Sequence, residues 1–288
     1  MFKTDDDNLV TTDWLARRIV NTNVQVIDAS FFVPGGSILA KQKYDEEHIP
    51  GAVFFDINDI ADPDSSLAHT MPTEATFAEK VGLLGISNDD HVIAYDGMGG
   101  ACAAARAWWM FSVFGHKRVS VLDGGIAKWK KEHCAIETNT PPAVPQSYTA
   151  VKAKNSVRTS TELLNALEEC QDQIVDARSA GRFSGSEPEP HEGLRKGHIP
   201  GSVNLPWTNL MDVETQTFKP LDAIANAFEA CGVDLDKPFT ATCGSGVTAC
   251  TLAFAACLLG KTNTKVYDGS WVEWGANSNL PIASGPSS

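Results

Sequence analysis

The chain has 288 residues, 43% of them hydrophobic, enough for one large domain or two ordinary ones with substantial cores. Its formal net charge of −13 argues against nucleic acid or an anionic membrane as the main partner, although a local site can still accept a small anion. The seven cysteines are dispersed, odd in number and lack a C-x2-C pair, so neither a disulfide framework nor a zinc site is expected, and a reducing compartment, the cytoplasm, fits. Met1 to Val10 carries Asp5-Asp6-Asp7 and no apolar centre, unlike a secretory or transit signal, and no apolar run approaches a membrane span.

In chain order, Thr11-Thr12-Asp13 can cap a helix containing Trp14, Leu15 and Ile19. A strand is expected at Val24–Asp28, then a Gly- and Pro-containing loop, then a strand at about Ala52–Phe55. Phe77, Val81 and Leu84 fall on a helix; His91–Tyr95 reads as a strand, Ala101–Phe114 as a helix, Val119–Asp123 as a strand and Ile126–Lys131 as a short helix. Thr138 to Ser147 contains three prolines and reads as a linker. Beyond it come a helix at Thr161–Glu169, strands at Ile174–Asp176 and Val203–Leu205, a helix at Ala223–Cys231, and a β-leaning run at Phe239–Thr242. An apolar helix at Val247–Leu259, a strand at Lys265–Tyr267 and a frayed tail from Ser284 to Ser288 follow.

The same order occurs twice. Val26-Ile27-Asp28-Ala29 matches Ile174-Val175-Asp176-Ala177, and His48-Ile49-Pro50-Gly51 matches His198-Ile199-Pro200-Gly201. Val121-Leu122-Asp123-Gly124 with Trp129 matches Val266-Tyr267-Asp268-Gly269 with Trp274. The spacing, about half the chain, exceeds solenoid periods and reads as two copies of one domain: 1–138, a linker 139–147, and 148–288. Strands alternating with helices imply an α/β fold, each copy a mostly parallel sheet flanked by helices.

Cys243-Gly244-Ser245-Gly246-Val247-Thr248 joins a strand to a helix, where reactive groups of such folds sit. Successive N–H groups in a glycine-rich turn can form an anion nest, and the helix start adds partial positive charge; both favour a thiolate at Cys243. A buried structural cysteine is the plainer alternative, but it would not need Gly244 and Gly246 beside it. The matching position in the first copy is Asp96, so that copy reads as structural or substrate-shaping and the second as catalytic. Cys250 and Cys257 lie seven apart on one helix face, in the core; Cys102, Trp108, Trp109, Trp271 and Trp274 are read as packing residues.

The two His-Ile-Pro-Gly segments, Asp123-Gly124-Gly125 and the Cys243–Thr248 loop resemble the tandem rhodanese-domain sulfurtransferases over nearly the whole chain. The loop, with Asp268-Gly269-Ser270-Trp271, is most similar to that of members using 3-mercaptopyruvate. Thiosulfate-using members usually carry basic residues there; this loop has none, which makes a thiosulfate sulfurtransferase the alternative rather than the first reading. The resemblance implies that Cys243 takes sulfur from 3-mercaptopyruvate as a persulfide, releases pyruvate, and passes the sulfur to a thiol, thioredoxin or cyanide, with no cofactor or metal. Gly244, Gly246, Val247 and Thr248 would then hold the anion through the loop, and Arg182 the substrate carboxylate. Ser245 and His48 would belong to a Ser-His-Asp proton relay. Ala29 to Tyr44 contains no acid where that relay has its aspartate, so the relay is either incomplete or uses Asp45 or another group. The family's second arginine falls after Glu187-Pro188-Glu189-Pro190, where this chain has His191; Arg195 is the expected replacement, His191 the alternative. A cysteine phosphatase is disfavoured, because the loop-closing arginine of such enzymes is Ala249 here. A sulfur carrier without turnover remains the other alternative.

Overall fold

The structure is a computed structural model, and it describes residues 8–32, 39–139, 142–168 and 173–286. Asp5-Asp6-Asp7, Cys170 and the last residues of the tail lie outside the described residues.

Ten strands form two five-stranded sheets. The first contains β1 (Leu9–Val10), β2 (Val24–Asp28), β3 (Val53–Phe54), β4 (His91–Tyr95) and β5 (Val119–Leu122), in the order β1-β5-β4-β2-β3. The second contains β6 (Val157–Arg158), β7 (Gln173–Asp176), β8 (Ser202–Asn204), β9 (Phe239–Thr242) and β10 (Lys265–Tyr267), in the order β6-β10-β9-β7-β8. Each strand of the second sheet takes the place of its counterpart in the first, and all neighbouring pairs are parallel. Both central strands, β4 and β9, are buried along their whole length, as expected of a parallel sheet covered on two faces.

Register aligns the two copies. Asp28 pairs with Tyr95 at the end of β4, and Asp176 pairs with Thr242 at the end of β9. Tyr95 and Thr242 are therefore equivalent, and the residues that follow, Asp96 and Cys243, occupy one position of the fold. The helices after these loops, Cys102–Val113 and Ala249–Leu258, begin at matching points. Both are apolar on nearly every face, because each packs on its own sheet and on the other helix. Trp108 meets Phe254 edge to face with centroids 4.8 Å apart. One hydrophobic cluster runs through both copies, including Trp108, Trp109, Phe254 and Cys243. Cys250 and Cys257 are buried in it, as their spacing requires.

The expected strands appear within a residue or so of their sequence-based limits. The two-residue edge strands β1 and β6 were not expected, being too short for alternation to register. The helix Ala40–Glu46 lies in the stretch read as loop; it has no side-chain N-cap and buries only Tyr44. Residues 146–153 run against the first copy: Gln146 N–H donates to Gly82 O at 2.9 Å and Ala153 N–H to Val113 O at 2.7 Å, while Tyr148 enters the aromatic group of Phe77 and Phe111.

Candidate active site

An open cleft lies where the carboxyl ends of β4 and β9 meet. The second copy contributes Cys243, Gly244, Ser245, Val247 and Thr248, with Arg182, Pro190 and His191. The first contributes Phe31, His69, Met98 and Cys102.

Cys243 is only 2% exposed. Its N–H donates to Ser270 Oγ at 3.2 Å, its carbonyl accepts from Trp271 N–H at 3.0 Å, and Gly244 O accepts from Val272 N–H at 2.9 Å. The sulfur loop is thus clamped on the segment after β10, and Ser270 Oγ lies 4.0 Å from the sulfur. Gly246 has φ +79°, a region that L-residues rarely adopt, and a Cβ there would come 2.6 Å from Asp268 O. Among the described residues, the backbone N–H groups of Gly244 to Thr248 have no hydrogen-bond acceptor. They are available to an anion at the mouth of the Ala249–Leu258 helix.

In the first copy the equivalent loop and the start of the helix after it are braced from within. The Asp96 carboxylate accepts N–H bonds from Met98 at 3.2 Å and from Ala103 and Ala104 at 2.9 Å each. Burial still outweighs these bonds and pushes its pKa up to about 6.

Arg182 sits in the short helix Ala180–Ser184, capped by Ser179 Oγ, which accepts from Arg182 N–H. Its Nε and Nη2 donate to Glu189 Oε2 at 3.1 and 2.5 Å, and a Cβ on Gly244 would fall 2.9 Å from Nη2. The guanidinium therefore borders the sulfur loop with one edge held by Glu189. Arg178 is buried between Asp176 and Glu189, donates to Gly197 O at 2.8 Å and lies over the Trp271 ring, so its guanidinium is spent within the fold. His191 is exposed and borders the cleft.

Two expected site residues lie elsewhere. Arg195 spends its guanidinium on carbonyls at the end of the helix Ser270–Trp274. Nε donates to Gly275 O at 3.0 Å, Nη1 to Leu280 O at 3.0 Å, and Nη2 to Trp274 O at 2.9 Å and to Asn277 O. It caps a chain terminus of the fold and cannot also hold a substrate carboxylate. His48 is fully buried, stacks on Tyr44 with centroids 4.2 Å apart, and does not border the cleft. Its Nδ1 lies 2.7 Å from Tyr44 O, and its backbone bridges Glu137. His198 repeats the pattern, stacked on Phe183 and bridging Ala283. The motif locks a turn onto the end of each domain, in both copies alike. Asp45, the substitute acid, is exposed and paired with Lys41.

The residue that sequence reasoning missed is His69. It is 6% exposed, borders the cleft, and its Nδ1 has no hydrogen-bond partner among the described residues. Burial, then the charge of Arg106, lowers its pKa to about 4. The ring is neutral at ordinary pH, and among the described residues no group competes with a bound molecule for a hydrogen bond to its unpartnered Nδ1. Its loop carries no periodicity or motif, so only the fold brings it to Cys243.

The family model of the rhodanese-like domain matches residues 11–132 and 159–277. The chain is 42% identical over 271 residues to a 3-mercaptopyruvate sulfurtransferase of Rattus norvegicus, covering 92% of this chain and 91% of the relative. It is 45% identical over 272 residues to a thiosulfate sulfurtransferase of Bos taurus, with the same two coverages, 92% and 91%. Among solved structures, SseA of Escherichia coli, described as a 3-mercaptopyruvate sulfotransferase, superposes with a TM-score of 0.84 at 40% identity, covering 92% of this chain and 99% of that one. Two matched domains, a shared sheet order and a cysteine at the end of β9 make this chain a member of the rhodanese family, with two rhodanese-like domains.

Proposed function

We propose that the protein is a 3-mercaptopyruvate sulfurtransferase. The observation that carries this reading is Cys243 in an uncharged loop with unpaired N–H groups, next to the guanidinium of Arg182. Overall identity does not choose the donor, since a thiosulfate enzyme and a 3-mercaptopyruvate enzyme match about equally well. The loop chooses: thiosulfate is a dianion, and neither Gly244 nor Ser245 offers it a cation.

Arg182 holds the donor carboxylate and keto oxygen, with His191 as the second polar contact at the rim. The Cys243 thiolate attacks the donor sulfur, an S–S bond forms, and the C–S bond breaks with its electron pair passing to the pyruvate enolate. His69, with Ser245 beside the cleft, takes the donor thiol proton and returns it to the enolate carbon. Cys243 is left as a persulfide, its negative charge held by the N–H groups of Gly244 to Thr248, with Gly246 setting the turn. An acceptor thiol, thioredoxin or cyanide then attacks the outer sulfur and regenerates the thiolate. The six described cysteines are all free, which supports a reducing compartment such as the cytoplasm.

The test is turnover. Incubation with 3-mercaptopyruvate and a dithiol should release pyruvate and sulfide, and Cys243→Ser should release neither. Higher kcat/KM with thiosulfate would instead select the thiosulfate sulfurtransferase reading. Sulfur uptake without any discharge would select a carrier.

A further inference from the structure

The two copies are tied across their interface by a pair of equivalent hydrogen bonds. Asp123, after β5, accepts from Phe218 N–H at 2.9 Å; Asp268, after β10, accepts from Met71 N–H at 2.6 Å. The symmetry is then broken on one side. Arg106, on the helix Cys102–Val113, is fully buried and donates through Nη1 to Asp268 Oδ1 at 2.7 Å and to Gly246 O at 3.2 Å, and through Nη2 to His69 O. Counted from the matching helix starts, the same place in the second copy is Ala253, which can make no such bridge. Docking two domains does not require a buried arginine, since the Asp123 side does without one. Burying a guanidinium is costly unless each bond it makes is used.

Two of the three acceptors of Arg106 belong to the site. Gly246 is the glycine that gives the sulfur loop its left-handed turn. His69 has φ 63°, which a non-glycine residue keeps only when its surroundings over-determine it. One planar group therefore grips the carbonyl of the proton-transferring residue in the first copy and a carbonyl of the sulfur loop in the second. We infer that Arg106 is a positioning residue for sulfur transfer, fixing His69 against the Cys243 loop through a three-way bridge to Gly246, His69 and Asp268. This rests on the sulfurtransferase reading and on His69 as its proton carrier. The charged and titratable groups around His69 are Arg106, Asp268, Asp56 and His191. Arg106 and His191 lower its pKa, while the two aspartates raise it.

The experiment measures the rate at which 3-mercaptopyruvate loads sulfur onto Cys243, with melting temperature alongside, in the full chain. Arg106→Lys keeps the charge but cannot span three acceptors; loading should slow about 10²-fold, the scale of an ångström's misplacement, with KM changed less than about threefold. Its acid limb in kcat/KM should stay where it is. Arg106→Met removes the cation, so the His69 pKa rises and the acid limb moves to higher pH. Asp123→Ala removes the equivalent tie on the other side and should lower the melting temperature without slowing loading. Arg106→Lys loading at the parental rate would overturn the inference, as would Asp123→Ala slowing it equally, which would make Arg106 domain glue. A parent chain that takes no sulfur would instead remove the sulfurtransferase reading, and this inference with it.

Discussion

The loops after β4 and β9 occupy one position of one fold, yet their backbone N–H groups are used differently. In the first copy the Asp96 carboxylate accepts from Met98 N–H in the loop and from Ala103 and Ala104 N–H in the first turn of the helix, and Gly97 N–H donates to Ser30 Oγ. In the second, Cys243 replaces the aspartate, Cys250 and Thr251 N–H donate to Val247 O and Thr248 O, and the N–H groups of Gly244 to Thr248 have no described acceptor where the loop opens on the cleft. An internal carboxylate braces the loop and the helix start. A thiol leaves the loop N–H groups available for an anion formed during reaction. The glycines repeat the lesson. Gly99 and Gly246 have nearly the same φ, +78° and +79°, but a Cβ on Gly99 would meet only the movable Gln216 amide, whereas one on Gly246 would meet the Asp268 backbone.

The largest effect should come from exchanging the two loop residues. Cys243→Ser should abolish pyruvate release, and adding Asp96→Cys should not restore it, because Arg182 borders only the second loop. Recovery of turnover in the double variant, measured as pyruvate formed, would break the comparison.

The next test uses the paired glycines. Gly246→Ala should cost about 10²-fold in kcat, because the loop must shift from its place beside Asp268. Gly99→Ala should cost only about 1–2 kcal/mol of stability for the left-handed backbone and leave kcat near parental. Steady-state kinetics with urea melts of both variants would show whether the asymmetry is real.

A smaller change is expected from Ser245→Lys, which places a cation in an uncharged loop. It should raise kcat/KM for thiosulfate about tenfold relative to 3-mercaptopyruvate. Gly244 is the wrong position for this test, since any side chain there meets Arg182 at 2.9 Å. Competition kinetics with both donors would reveal an unchanged ratio if the loop does not set donor preference.

The smallest effect concerns Asp96 alone. Its folded pKa, about 6, lies above the ordinary aspartate value of 3.8, so the folded state binds the extra proton between these two pH values. Stability contributed by the group is therefore greatest at low pH and falls as pH rises through about 4 to 6, by at most roughly 3 kcal/mol. Asp96→Asn should flatten that part of the stability profile. Parallel pH profiles from urea unfolding of parent and variant would check this, and identical slopes would contradict it.

Much of this arrangement is legible in the sequence. The repeat of Ile-Val-Asp-Ala, His-Ile-Pro-Gly and Asp-Gly segments gives two copies, and aligning them exposes Asp96 opposite Cys243 before any coordinates. Arg182 follows from family resemblance and lies beside the loop. His48 and Arg195 mislead for a shared reason: sequence shows which polar residues stand near a motif, but not that their polar atoms are used by the fold. His48 is stacked on Tyr44, and Arg195 caps carbonyls of residues some eighty positions away. His69 and Arg106 stay hidden for the converse reason. Neither lies in a motif, and both reach Cys243 only because two domains pack helix to helix, a contact across more than a hundred residues that no local pattern encodes.

The central claim, that the loop after β4 is braced by its own carboxylate while the loop after β9 carries sulfur, is tested most directly by locating the sulfur. The protein is exposed to 3-mercaptopyruvate without an acceptor, digested under non-reducing conditions at low pH, and its cysteine peptides are weighed. The account predicts one added sulfur atom on the Cys243 peptide and none on the others. A persulfide on Cys102, across the same cleft, or no added sulfur at all, would contradict it.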